Sequence, residues 1–137
     1  MNRTSTTRLS LASALAMVLL SVVQGCSTGP EDLDLAGTWT GTTSLPDDHA
    51  TTLELARAGV TIAGTMEISG LMNQAFVGTL DEGRRAIDWA LDVGCEAWSG
   101  SLDINSDSDR LSGPVMRDAS ACTSGTDLAG TMAVSKQ

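Results

Sequence analysis

The chain has 137 residues, a formal net charge of −9, only four aromatic residues (Trp39, Phe76, Trp89, Trp98) and no tyrosine. An acidic body of this kind is repelled by phosphate backbones, which excludes nucleic acid as a partner. A chain of this length supports one domain with a modest core.

Residues 1–25 read as a secretory signal peptide. A short cationic stretch with Arg3 and Arg8 is followed by the apolar run Leu11 to Val23 and then Gln24-Gly25-Cys26. The run is shorter than the ~20 apolar residues that a spanning helix needs. Removing it takes away two basic residues and no acidic one, so the remaining 112 residues carry a net charge of −11.

Gly25-Cys26 resembles the lipobox of bacterial lipoproteins. That resemblance implies diacylation of Cys26, which becomes the new N-terminus and holds the protein on a membrane. Ser27 after the anchor resembles lipoproteins sent to an outer membrane, at its periplasmic or surface face. Residues 26–34 follow as anchor and linker; Gly29-Pro30 and three acids mark the polar stretch Ser27 to Asp34 as a flexible tether.

From residue 35 to 137 one pattern keeps returning: apolar, any residue, Gly, then Thr, Ser or Pro, then apolar. It appears as Leu35-Ala36-Gly37-Thr38-Trp39, Ile62-Ala63-Gly64-Thr65-Met66 and Phe76-Val77-Gly78-Thr79-Leu80. It returns as Trp98-Ser99-Gly100-Ser101-Leu102, Leu111-Ser112-Gly113-Pro114-Val115 and Leu128-Ala129-Gly130-Thr131-Met132. Each glycine shares the parity of the apolar residues and so faces the same side of a strand. Inward glycines let a narrow barrel bend and close. A helix would lose about 1 kcal/mol at each one. Leu53-Glu54-Leu55 and Ile87-Asp88-Trp89-Ala90-Leu91 alternate without the glycine.

The pattern predicts strands over 36–43, 50–57, 60–68, 75–80, 84–93, 97–104, 110–116 and 127–135. Eight short strands separated by turn signals make an all-β domain, read as an eight-stranded antiparallel up-and-down β-barrel preceded by a signal-peptide helix and a short linker. A Greek-key sandwich is the alternative. In an up-and-down chain, short turns at Ala58-Gly59, Asp81 to Gly83 and Asn105 to Asp109 share one end. The connections at Ser44 to His49, Ser69 to Gln74, Gly94 to Glu96 and Arg117 to Gly125, most of them longer, share the other. Cys95 and Cys122 both fall at the long-loop end, and an even cysteine pair in an exported domain reads as a disulfide.

Eight meandering strands that begin at Gly37-Thr38-Trp39 resemble the calycin group of lipocalin-like and avidin-like barrels. The resemblance implies that Trp39 plugs the closed end. The family's basic partner on the last strand has no counterpart in Leu128 to Val134, which contains no Arg or Lys. Thr40 and Gly41 follow Trp39 where avidin-like proteins place polar biotin contacts, so biotin binding is not implied.

Trp39, Phe76, Trp89 and Trp98 all take inward parity. They are core filling or, as the candidate site, the lining of a pocket for a small apolar ligand at the barrel mouth. Asp103 to Asp109 spaces oxygen side chains at alternate positions as a calcium loop does, but Ser108 stands at the glycine position and Pro114 at the distal glutamate position. A solvated turn is the simpler reading. Asp47-Asp48-His49 lacks the orienting shell that a metal or acid–base site needs. No nucleophile elbow, zinc motif or phosphate-cradling loop is present, and no cofactor or catalytic residue is expected. The expectation is a lipid-anchored envelope lipoprotein, not an enzyme, whose barrel binds a small apolar ligand. Its alternative is a structural or protein-docking module with a fully packed barrel.

Overall fold

A computed structural model describes residues 33–137; Cys26, the signal peptide and the linker up to residue 32 lie outside the described residues. The chain forms eight strands: β1 Gly37–Ser44, β2 Asp48–Ala58, β3 Thr61–Ile68, β4 Met72–Asp81, β5 Ala86–Val93, β6 Glu96–Ile104, β7 Arg110–Asp118 and β8 Leu128–Lys136. They pair antiparallel in sequence order and close through β8 against β1. The fold is an up-and-down barrel, and the sandwich is set aside.

Alternation puts the apolar residues inside. Along β4, Met72, Phe76 and Leu80 are buried while Asn73, Ala75, Val77 and Thr79 are exposed. One cluster, from Leu33 to Val134, fills the interior. Apolar inside and polar outside is the reverse of a membrane-spanning barrel. Among the described residues no helix is long and apolar enough to cross a membrane.

Several glycines sit where one backbone crosses closely over another. A Cβ on Gly41 would collide with the Ala133 carbonyl, and one on Gly113 with the Ser101 carbonyl. Strands in so narrow a barrel coil strongly, and only a residue without a side chain lets them approach this far.

Both ends are plugged by the chain itself. At one end Leu33 and Leu35 are buried, Arg57 Nη1 donates to the Leu33 carbonyl at 2.8 Å, and Lys136 Nζ donates to the Asp34 carbonyl at 2.9 Å. The folded body thus includes Leu33 and Asp34, which the sequence places in the linker. At the other end Leu45, Met72 and Ala119 are all buried.

The expected contrast between short and long loops does not hold. Asp48 and His49 belong to β2, paired with Ser44 and Thr43, and Met72 to Gln74 belong to β4, paired with Ile68 to Met66. Polar side chains on the solvent side do not end a ladder that the backbone can continue. Only the 119–127 connection is long, and the β5–β6 hairpin turns on Gly94 (φ 63°) and Cys95 alone. Cys95 and Cys122 meet at this end at disulfide distance, with Cα atoms 5.2 Å apart.

Candidate functional site

The four aromatics read as a pocket lining are held in the core. Trp39 is 0 %, Phe76 1 %, Trp89 4 % and Trp98 1 % exposed. Side chains this enclosed are packed as core and leave little room beside them for an apolar ligand. Phe76 and Trp89 pack tilted at 52° with centroids 5.7 Å apart. Trp89 fits because Gly100 lies opposite; a Cβ there would stand 2.7 Å from the indole Nε1. That Nε1 is buried without a hydrogen-bond partner. Such a group costs about 1–3 kcal/mol, so packing around the ring outweighs the lost hydrogen bond.

Trp39 lies at the chain-entry end, as its position early in β1 requires, and its Nε1 donates to the Leu35 carbonyl at 3.1 Å. The last strand carries a basic residue just beyond the stretch Leu128 to Val134. β8 runs to Lys136, whose ammonium stands 5.8 Å from the Trp39 ring centroid and pairs with Asp34 at 3.0 Å.

A second charged group closes the disulfide end. Glu96 accepts from Trp98 Nε1 at 2.9 Å and from Arg117 Nη2, while Arg117 lies 5.9 Å over the Trp98 ring. The Arg117 guanidinium, followed by the Trp98 indole, holds the Glu96 carboxyl below the ordinary glutamate range, against the opposing effect of burial. The sequence reading missed this trio because Glu96 and Arg117 each lie one residue beyond the strands it drew. A shallow cleft of about 230 Å³ beside it is lined by Met116, Arg117, Asp118, Asp127 and Leu128. Two of those acids are occupied: Asp127 accepts from the Ala119 amide and Asp118 from the Ser120 amide.

The remaining candidates are engaged structurally. In the Asp103 to Asp109 turn, Arg85 Nη2 donates to the Asn105 carbonyl at 2.7 Å and to Ser108 Oγ at 3.0 Å. Asn105 in turn exchanges hydrogen bonds with Asp109. An arginine among those oxygens makes the turn a closed hairpin tip. His49 Nδ1 donates to the Ser69 carbonyl at 3.0 Å and ties β2 to the β3–β4 turn, while Asp48 accepts from Ser44 Oγ. Among the described residues no group of three or more His, Cys, Asp or Glu side chains could hold a metal ion.

Two interruptions break the barrel wall: the β6–β7 ladder skips Ser101 and Leu102 opposite Pro114 and Gly113 and then resumes, while the β4–β5 ladder stops halfway. Every neighbouring pair of strands is in register over six residue pairs or more except β4 and β5, which pair only from Gly78↔Trp89 to Asp81↔Ala86. Beyond that point Met72 to Val77 are paired with β3 alone and Ala90 to Val93 with β6 alone. The open half of the seam lies toward the disulfide end. Gln74 shows it: its parity is inward, yet it is exposed.

Comparison of the chain with protein-family models, with curated proteins and with solved structures gives no match.

Proposed function

We propose that this chain is a lipid-anchored lipoprotein of a bacterial envelope whose calycin-like barrel is a packed scaffold for docking other proteins. The observation that carries the choice is the filled interior: the four inward aromatics are at most 4 % exposed, and the chain's own Leu33, Leu35 and Leu45 stop both ends. A carrier of small apolar molecules encloses its ligand in a cavity of roughly 300 Å³ or more. The clefts of that size here, about 370 Å³ beside Leu33 and Arg57 and about 460 Å³ beside Gly37 and Glu54, are open to solvent. The small apolar ligand is therefore the weaker reading.

Gly25-Cys26 after a cationic and then apolar leader supports the anchor, and Ser27 supports an outer-membrane address. The calycin likeness is supported by Trp39 near the start of β1 and Lys136 over it from β8. With the interior filled, the outer surface is what the architecture offers for binding.

Two measurements test the reading. Native mass spectrometry of protein extracted from membranes should show the acylated chain with no small molecule retained in the barrel; a stoichiometric apolar ligand would overturn the packed-scaffold reading. Fatty-acid labelling in cells should mark the wild type and not Cys26→Ala, and equal labelling would end the lipoprotein assignment.

A further inference from the structure

We propose that the open half of the β4–β5 seam is a docking edge for an extended, cationic peptide segment of a partner protein. This rests on the docking reading above and gives it a place and a chemistry.

The argument begins with backbone groups. In a closed barrel each strand is hydrogen-bonded on both sides, so no edge is left. Here Met72 to Val77 have a ladder partner only in β3, and Ala90 to Val93 only in β6. Along each stretch, alternate N–H and C=O groups turn toward the seam. Groups in that spacing are matched by another extended backbone, which is how strand addition gives affinity. The open stretch of β4 is about 20 Å long at the rise of a strand, room for a segment of about six residues.

The side chains around the seam say which segment. Strands β3 to β6 contain no Lys or Arg and hold Glu67, Asp81, Asp88, Asp92, Glu96 and Asp103. Arg84 offsets Asp88, and Arg117 offsets Glu96. Glu67 and Asp92, which flank the open half, are both exposed. Between them, beyond Asn73, runs a short apolar strip: Val77 is 58 % exposed, with Ala75 and Ala90 exposed beside it. An incoming strand that alternates Lys or Arg with small apolar residues meets both the acids and this strip. An acidic strand is repelled. The inner side of the seam is already closed by Phe76, so the segment lies along the edge and does not enter the barrel.

The test uses the folded domain and a fluorescein-labelled eight-residue peptide alternating Val and Lys. Controls are the Val–Glu analogue and a Val–Lys peptide with alternate residues replaced by proline, which cannot pair. Anisotropy should show binding of the Val–Lys peptide alone, and Asp92→Lys combined with Glu67→Lys should weaken it by about tenfold or more. Unchanged tryptophan fluorescence would show that this variant is folded. Hydrogen exchange should find the amides of 72–77 and 90–93 faster than those of 61–68 in the free protein and slowed by the peptide. Equal protection of all three stretches in the free protein would overturn the proposal, because the seam would then be closed. Binding that leaves those amides unchanged, or equal binding of the proline peptide, would overturn it as mere charge attraction. Neither failure touches the packed-scaffold reading, which stands or falls on the retained ligand in native mass spectrometry.

Discussion

The ammonium of Lys136 lies 5.8 Å from the ring centroid of Trp39, joining the last strand to the first across the closure of the barrel. Around that contact the chain ties its own ends: Lys136 also holds Asp34, and the Gln137 amide donates to the Thr38 carbonyl at 3.0 Å. Lys136→Met keeps much of the aliphatic packing and removes the charge. It should lower stability by about 0.5–1 kcal/mol, read as a shift in the urea midpoint. Trp39→Ala, which empties the core beneath, should cost about 3–5 kcal/mol. Equal effects would mean that the ring's burial depends wholly on the lysine.

The Cys95–Cys122 pair spans 27 residues of sequence. Closing a loop of that length restricts the unfolded chain, and Cys95→Ser should destabilise by about 3–4 kcal/mol in chemical unfolding of oxidised protein. Under reducing conditions wild type and variant should converge. A variant as stable as oxidised wild type would show that the 119–127 connection is held by its other contacts.

Glu96 makes stability depend on pH with a definite sign. Its folded carboxyl titrates below the unfolded one because Arg117 and then Trp98 hydrogen-bond its charged form. The stabilisation is complete above the unfolded value and disappears as pH falls through the folded one. Asp88, held low chiefly by Ser101 and also by Arg84, and Asp118, held low by Ser120, act in the same direction. Melting temperature should therefore drop between pH 5 and pH 3, and Glu96→Gln should flatten part of that drop. A steeper drop in the variant would reverse the assignment.

Gly41 tests the close approach of β1 to β8. A methyl group there meets the Ala133 carbonyl, so Gly41→Ala should cost about 1–3 kcal/mol despite being an ordinary strand substitution. Gly59→Ala meets no neighbouring atom, and its cost comes only from φ 63° in the β2–β3 turn. Stability of Gly41→Ala equal to wild type would mean that the two strands can part without loss.

The strands were legible because burial on one face leaves a period of two, and the repeated inward glycines gave the sharp bending of a small barrel. The end arrangements were not. Glu96, Arg117 and Lys136 each fall one residue past a strand drawn from apolar alternation, because a charge breaks that alternation. Yet at a barrel rim a long cationic side chain can lie over a tryptophan and keep its head in water, as Arg117 and Lys136 do. Loop lengths were misjudged for a related reason: Asp48, His49, Asn73 and Gln74 carry polar side chains while their backbones stay in the ladder. The incomplete β4–β5 pairing leaves no trace in composition or periodicity. Hydrogen-bond partners are a property of two strands, and a strand paired on one side alternates like one paired on both.

Leu33 and Gln137 sit at the same pole of the barrel, beside Trp39. Whatever precedes residue 33 therefore joins the body there. The disulfide, the Glu96–Arg117 pair and the unzipped end of the seam occupy the opposite pole, about 20 Å away for tilted strands of eight residues. An attachment at residue 33 and a contact along the seam therefore engage opposite poles of the body, and neither obstructs the other.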